Sequence, residues 1–567
     1  MPENERDDGA RAPAVLVCVA WPYANSPLHA GQIAGAYLPA DIVARYHRMR
    51  GHRTLMVSGS DAHGTPVTVR AEQEGTTPEA VFLRYHESFL DIWERFGISF
   101  DLFTSTDTEN HVAVTQDIFL RLKERGYLSE AEQTLLFDPV VKRFLPDRYV
   151  EGTCPRCGDP GARGDQCDHC GSTLDALELL SPRSRLSEAT PEPRSSTHFF
   201  LRLPAFTERL LEWVEAQEHW RPAVRNFTLG QLREGLRDRA ITRDIEWGIP
   251  VPVEGYEQKR IYVWFEAVIG YLSATREWAQ GSGDPDAWKA FWLDPGCRTI
   301  YFQGKDNVPF HTMIWPAMLL GYGDLNLPYD VPANQYVTIS GSKASSSRNW
   351  AVWMPDYLDR HDPDPLRYVL TAVMPETSDS DFSWGDYVRR VNDELVGRWG
   401  NLVNRVLTIT RRHFDERVPA PPAALQPESS DLLARADAAF EEAAGHLEAV
   451  RLRAALGVPM ALCGEVNRYL EERAPWVAVR EDREHAAETL HTALNVISAL
   501  ATLLDPFLPF TSPEAWRMLG HEEPLERAGW RRREVAPGTP LPEPRPLFRK
   551  LDPALADEEE ARLGAGS

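Results

Sequence analysis

The sequence predicts an α/β protein in which a parallel sheet is split by an insertion and followed by an α-helical bundle. Three observations carry that prediction. The apolar run VLVCVA (15–20) leads through a turn-rich segment, Pro22 to Pro27, and a helical pattern into a second apolar run, TLMVSGSD (54–61). Buried strand, helix, buried strand is the unit of a parallel sheet, and such sheets bind ligands beyond the carboxyl ends of their strands. Between about 126 and 242, short segments, Pro and Gly punctuation and a tight cysteine cluster replace that alternation. From about 391 to 512, apolar residues recur at helical spacing, as in LVGRWGNLVNRVLTIT and TLHTALNVISALATLL.

Taken in order, residues 1–14 read as a disordered lead. Residues 15–125 hold the first half of the sheet and 126–242 the insertion. Strand-like runs return at KRIYVWFEAVIGYL (259–272) and TIYFQGKD (299–306), the second followed by a helical VPFHTMIWPAMLLG, so 243–335 reads as the second half of the sheet. Residues 336–390 contain a Ser-rich loop and a compact mixed segment. Residues 391–550 are helical, with a Pro-rich connection at 417–427, and 551–567 form an acidic tail that reads as frayed.

At 567 residues the chain exceeds a single ordinary core, so two to four domains are expected. Hydrophobic and charged contents of 43% and 26% are those of a soluble protein. No apolar run approaches the roughly 20 residues that span a bilayer, and the polar, acidic start lacks the features of a secretory signal. The expectation is a cytoplasmic protein without membrane contact. The net charge of −23 opposes diffuse binding of nucleic acid but leaves room for a local basic track. With no further folded module after the helices, a monomer is expected.

Four of the seven cysteines lie in CPRCGDPGARGDQCDHCG (154–171), a C-x2-C-x9-C-x2-C pattern formed by Cys154, Cys157, Cys167 and Cys170. Two such turns supply the closed sulfur shell of a structural Zn²⁺, with Gly158 and Gly171 allowing tight turns. A redox pair or disulfide is the competing reading, and the spacing in a reducing compartment favours metal. His169 sits too close to Cys170 to fit the shell.

His29 and Asp61 fall at strand ends. A histidine at a helix start is commonly only a cap, so His29-Ala30-Gly31-Gln32 assigns nothing alone. The stretch from Trp21 to Pro66 resembles the class I aminoacyl-tRNA synthetases, and within them the methionyl-tRNA synthetases. So do YVWFEAVIGY, GKDNVPFH, the cysteine flanks VEGTCPRC and DHCGSTLDALEL, and SRNWAVWMPDYLDRHDPDPLRYVLTAVMPETSDSDFSW. The resemblance covers about residues 14–550.

That resemblance implies a Rossmann-like catalytic domain, a zinc knuckle in its insertion and an anticodon-binding helical domain. It implies a methionine–tRNA ligase that uses ATP with Mg²⁺ to make methionyl-adenylate and passes the methionyl group to the 3′ adenosine of tRNA(Met). His29 and Gln32 match the family's H-x-G-H, with Gln32 replacing the second His; Gly31 would let adenine approach the backbone. Lys343-Ala344-Ser345-Ser346 matches K-M-S-K, with Ser346 replacing the second Lys, and Lys343 and Ser345 are implied at ATP. Lys343, Lys305 or Arg348 would then supply the missing charge. Trp21, Tyr23, Asp61, Trp264, Ala267, Tyr271, Asn307 and His311 match the methionine pocket, where aromatic contacts suit a thioether and Asp61 would take the α-ammonium. Asn401, Arg405 and Trp476 match positions that read the anticodon. Gln32 and Ser346 also motivate an alternative, an adenylating ligase that passes the acyl group to a small amine or hydroxylamine.

Overall fold

The computed structural model describes residues 12–564 except 147–148, 165–166, 168, 171, 173 and 346–348. Five parallel strands form the central sheet: β1 (Ala14–Val19), β2 (Arg53–Ser60), β3 (Leu102–Ser105), β4 (Arg298–Gly304) and β5 (Ala333–Asn334), in the order β5-β4-β1-β2-β3. All six residues of β1 are buried, and its alternation divides the core. Val15, Val17 and Val19 face a cluster that runs on into the helical bundle, whereas Leu16 and Cys18 face the cluster beneath the insertion. The order reverses between β1 and β4, and a crevice opens at such a reversal.

The helical pattern after β1 is a continuous helix, 30–49, with a π-helical turn at Ile33–Tyr37. KRIYVWFEAVIGYL departs from the strand expectation. Only Arg260–Ile261 is extended; Val263–Glu266 and Gly270–Gly281 are helical, joined by a 3₁₀ turn at Ala267–Ile269. A run apolar on every face carries no period that separates a buried strand from a buried helix.

The insertion pairs Leu128–Asp138 with Glu192–Leu201 in a long antiparallel ladder. A small sheet of Val150–Thr153, Ala162–Arg163 and Leu180–Ser184 carries the cysteine cluster, with its own core around Leu136, Tyr149 and Val150. C-terminal to the sheet, helices including Asn401–His413, Pro427–Glu448, Leu452–Arg473 and Arg483–Leu504 pack together. The last is long and apolar enough to cross a membrane, but Ala486–Leu504 is buried among its neighbours as the bundle's core.

Arg367, fully buried, joins the two parts. Its guanidinium donates to Asp41 on the helix after β1, to the Phe96 and Gly97 carbonyls, and to the Pro506 and Phe507 carbonyls of the bundle. A buried charge needs this many partners to offset its desolvation.

The chain ends require two corrections. Most of the expected lead, residues 1–11, lies outside the described residues, and Ala14 already opens β1. The tail is not frayed through residue 564. Ala554–Glu560 is helical, and Glu559, only 4% exposed, accepts a paired contact from Arg360 at 2.9 and 2.8 Å and a third from His361 at 3.2 Å. An acidic run reads as solvated until a basic partner from a distant segment appears.

Candidate active site

A cleft of about 550 Å³ opens where β1 and β4 end. Its lining includes Ala20, Trp21 and Tyr23 beyond β1, Asp61 beyond β2, Gly304 and Asn307 at the end of β4, and the start of the helix that follows β1. Of the residues singled out in the sequence, Trp21, Tyr23, His29, Gly31, Gln32, Asp61, Trp264, Ala267, Tyr271, Asn307, His311 and Lys343 all line this one cleft.

His29 is the N-cap of its helix as well as a cleft residue. Its Nδ1 accepts the Gly31 N–H at 3.1 Å, and Gln32 Oε1 accepts the His29 N–H at 3.0 Å, a reciprocal capping box. Burial lowers the His29 pKa to about 4, so the ring is neutral near pH 7. With Nδ1 accepting, the single ring proton sits on Nε2, which makes His29 a neutral donor of fixed tautomer. Gly31 has a reason found within the protein: a Cβ there would lie 3.0 Å from the His29 ring. The cap reading of His29 holds alongside its place in the cleft, and Gln32, three residues on, is the local signal of the reciprocal bond.

The inner end of the cleft is aromatic. Trp21 lies in a slot made by two glycines, since a Cβ on Gly59 or Gly270 would come within 2.3 or 2.5 Å of its ring. Trp264 Nε1 donates to Tyr23 Oη at 3.0 Å. The buried Tyr271 hydroxyl lies 2.7 Å from His311 Nε2, and His311 Nδ1 lies 2.9 Å from the Asn307 carbonyl. Burial lowers the His311 pKa to about 4; the neutral ring donates through Nδ1 and accepts the tyrosine proton at Nε2. Its polar atoms are thereby satisfied, leaving an apolar wall.

Asp61 is 2% exposed. Burial, and then the charge of Glu266, push its pKa up to about 8. Behind it lies a pair that the sequence reading missed. His63 Nδ1 is 3.0 Å from Glu266 Oε1, and its Nε2 is 3.4 Å from Asp107 Oδ1. Burial alone would lower the His63 pKa, but the carboxylates outweigh it and raise it to about 10. Three carboxylates surround one imidazolium, so this end of the cleft suits a cation. No local signal announces the pair, because its partners are about 200 residues apart in sequence.

Lys343 sits on a strand rather than in a Ser-rich linker. Val337–Ile339 and Ser342–Lys343 form a hairpin, and Ser340 and Gly341 at its turn both have positive φ, 47° and 76°, as a type I′ turn requires. Ser345 lies outside the cleft lining, its backbone exchanging two hydrogen bonds with Trp350 at 2.9 Å. Ser346 and Arg348 lie outside the described residues.

Two further groups lie apart from the cleft. The sulfurs of Cys154, Cys157, Cys167 and Cys170 lie within 4.8 Å of one another, all four as free thiols. Cys154–Cys170 and Cys157–Cys167 are 3.9 and 3.6 Å apart, against about 3.8 Å for two corners of a tetrahedron with Zn–S near 2.3 Å. The donor set therefore fits a structural zinc. In the bundle, the Arg405 guanidinium lies 5.4 Å from the Trp476 ring centroid, with Trp476 40% exposed. Asn401, exposed, is one helical turn before Arg405.

Sheet order, cleft position and the two signature segments define the catalytic part of a class I tRNA synthetase. The family model for tRNA synthetases class I (M) matches residues 15–407, and that for the anticodon binding domain of methionyl tRNA ligase matches 418–566. The chain belongs to the methionyl-tRNA synthetase family. Among its relatives, the methionine–tRNA ligases of Thermomicrobium roseum and Roseiflexus castenholzii are each 52% identical, with 97% of this chain and 99% of the relative covered. The Mycobacterium tuberculosis methionyl-tRNA synthetase in complex with methionyl-adenylate superposes with a TM-score of 0.78 at 25% identity, over 94% of this chain and 99% of that one.

Proposed function

We propose that this chain is a methionine–tRNA ligase. It activates L-methionine with ATP and transfers the methionyl group to the 3′ adenosine of tRNA(Met). The observation that supports this most is one cleft, at the reversal of a parallel sheet, which holds a buried carboxylate beside an aromatic wall and a neutral imidazole donor. In this reading the α-ammonium of methionine pairs with Asp61. The thioether lies against Tyr23, Trp264, Ala267, Tyr271 and His311, with Trp21 and Asn307 fixing the wall. The methionine carboxylate attacks the α-phosphate of ATP, forming the mixed anhydride and expelling pyrophosphate. His29 Nε2–H donates to phosphate oxygens as negative charge builds, beside Gln32 and the helix N-terminus. Lys343, which lines the cleft, meets the phosphates, Ser345 lies beyond that lining, and Ser346 stands where the family has a second lysine. Mg²⁺ arriving with ATP would supply further neutralisation of phosphate charge. The acceptor hydroxyl of tRNA then displaces AMP.

We read residues 15–125 and 243–335 as the catalytic domain, 126–242 as its insertion and 336–390 as the connection to a tRNA-reading domain, 391–550. The small-molecule acceptor finds no support, because the relatives are tRNA ligases along almost the whole chain and 418–566 matches an anticodon-binding domain. The reading implies a cytoplasmic enzyme.

Three results are expected. Cys154, Cys157, Cys167 and Cys170 would hold one structural Zn²⁺, so protein purified without added zinc carries about one equivalent, and a strong chelator unfolds the insertion before the sheet. A native disulfide between any two of them contradicts this.

Methionine binding is pH-dependent. In the empty cleft Asp61 titrates at about 8, and the incoming ammonium favours its ionised form, so binding releases a proton below that pH. Affinity therefore rises between about pH 6 and 8, by up to about tenfold per unit, then levels off. Calorimetry in two buffers of different ionisation enthalpy measures the proton directly; a KM that is flat over that range counts against it.

Trp476→Ala weakens tRNA charging by about 10- to 100-fold through lost base stacking, while ATP–pyrophosphate exchange is unchanged. Equal loss in both assays would make Trp476 a packing residue.

A further inference from the structure

Two lysines from distant segments meet one aromatic ring at the mouth of the cleft. Lys305 follows β4 directly, and its Nζ is 4.0 Å from the Tyr336 ring centroid. Lys343, on the hairpin, has its Nζ 5.0 Å from the same centroid. Tyr336 and Lys343 line the cleft beside Gly304 and Asn307, and Lys305 stands just outside that lining, over the Tyr336 ring. Asp379 lies against Lys305: its Oδ1 accepts the Lys305 ammonium at 3.0 Å and the Tyr336 N–H at 3.0 Å. These two donors, and more weakly the Lys343 charge, hold Asp379 below the usual carboxylate range. Asp306, the residue after Lys305, accepts a hydrogen bond from the Tyr336 hydroxyl at 2.5 Å and so fixes the ring.

The chain carries a net charge of −23, a field that repels a polyphosphate. A tri- or diphosphate at this mouth needs more than one local cation, and Lys343 is the one lysine of the segment 342–350, whose Arg348 lies outside the described residues. Lys305 stands close by with 31% of its side chain exposed, held by a carboxylate that an incoming phosphate can replace. A phosphate offers the ammonium more oxygens and more charge than Asp379 does.

We propose that Lys305 is the second polyphosphate-binding cation of this cleft, working beside Lys343 and exchanging Asp379 for the β- and γ-phosphates of ATP and for pyrophosphate. The proposal rests on the ligase reading above. Lys305 adds positive charge on the side of the leaving group, so its interaction grows as the bond to the α-phosphate breaks and charge accumulates on pyrophosphate. Asp379 keeps the ammonium in position between turnovers.

The test is methionine-dependent ATP–pyrophosphate exchange with Lys305→Gln, Lys305→Arg and Asp379→Asn, each checked for an unchanged unfolding temperature. Exchange by the unmutated protein comes first; if there is none, the ligase reading fails and the lysine is not in question. Given exchange, Lys305→Gln should raise the KM for ATP and for pyrophosphate by about tenfold or more, with the methionine KM within twofold. Lys305→Arg should recover most of that loss. Asp379→Asn separates a ligand-binding lysine from a structural ion pair: it should leave the pyrophosphate KM unchanged or lower it, because a competitor is removed. The proposal is overturned if Lys305→Gln leaves both phosphate constants within twofold. It is equally overturned if Asp379→Asn and Lys305→Gln raise them alike, or if the methionine KM rises in step. Should Lys305→Gln fold poorly, Lys305→Arg and Asp379→Asn still decide: an Asp379→Asn enzyme with weakened pyrophosphate binding rejects the exchange of partners.

Discussion

Asp61→Asn is expected to raise the KM for methionine in ATP–pyrophosphate exchange on the order of 10²- to 10³-fold, the largest effect among the substitutions considered. Asn has the size of Asp and keeps an oxygen for the His63 N–H, which Asp61 Oδ1 accepts at 3.1 Å. What it loses is the charge. Asp61 is almost wholly buried, so the ammonium of a bound amino acid would have no counter-ion and little water, and removing one partner of such a pair costs about 3–5 kcal/mol. The effect should fall on methionine and spare the KM for ATP. A rise below about tenfold would remove Asp61 from the ammonium's surroundings and transfer attention to Glu266.

His29→Ala is expected to slow adenylate formation by about 10²-fold or more while methionine binding changes little. The histidine has two jobs that the variant removes together. It caps the helix through Nδ1, a role worth about 1 kcal/mol, and it presents Nε2–H to the cleft. His29→Ser separates them, because serine is a good cap with no reach. Its rate should remain low. Recovery by serine would show that the loss in His29→Ala came from the helix start. Because the pKa of His29 lies at about 4, the rate should show no His29 titration between about pH 6 and 8.

Local signals were enough for parts of this architecture. The runs that became β1, β2 and β4 are dense in β-branched and apolar residues bounded by turns, and C-x2-C spacing reports a metal shell because ligand distance and turn geometry are local. What failed was whatever depends on the far side of a contact. KRIYVWFEAVIGYL carries apolar residues on every face after its first two positions, so its helical state is set by packing rather than by period. The acidic tail has a fold because Arg360 and His361 pair with Glu559, Asn392 bonds the Leu551 backbone, and Leu551, Leu555 and Ala556 pack on the core. Gln32 was legible only as a replacement for the family's second His; that its oxygen accepts the His29 N–H and completes a cap comes from the structure. Trp21 was identified from resemblance alone; the slot between Gly59 and Gly270 that holds it links residues over 200 positions apart. Lys305 was one of three candidates, with Lys343 and Arg348, for the charge that Ser346 lacks, and its place beside Tyr336 comes from the structure.

The most direct measurement is ATP–pyrophosphate exchange with each of the common amino acids in turn, followed by charging of tRNA(Met) with the amino acid that supports exchange. Exchange should depend on methionine, and methionyl-tRNA should then form at a rate that falls when Trp476 is changed to Ala. Brisk exchange with negligible charging, under conditions where another methionine–tRNA ligase charges the same tRNA, would contradict the account, as would exchange driven by a different amino acid.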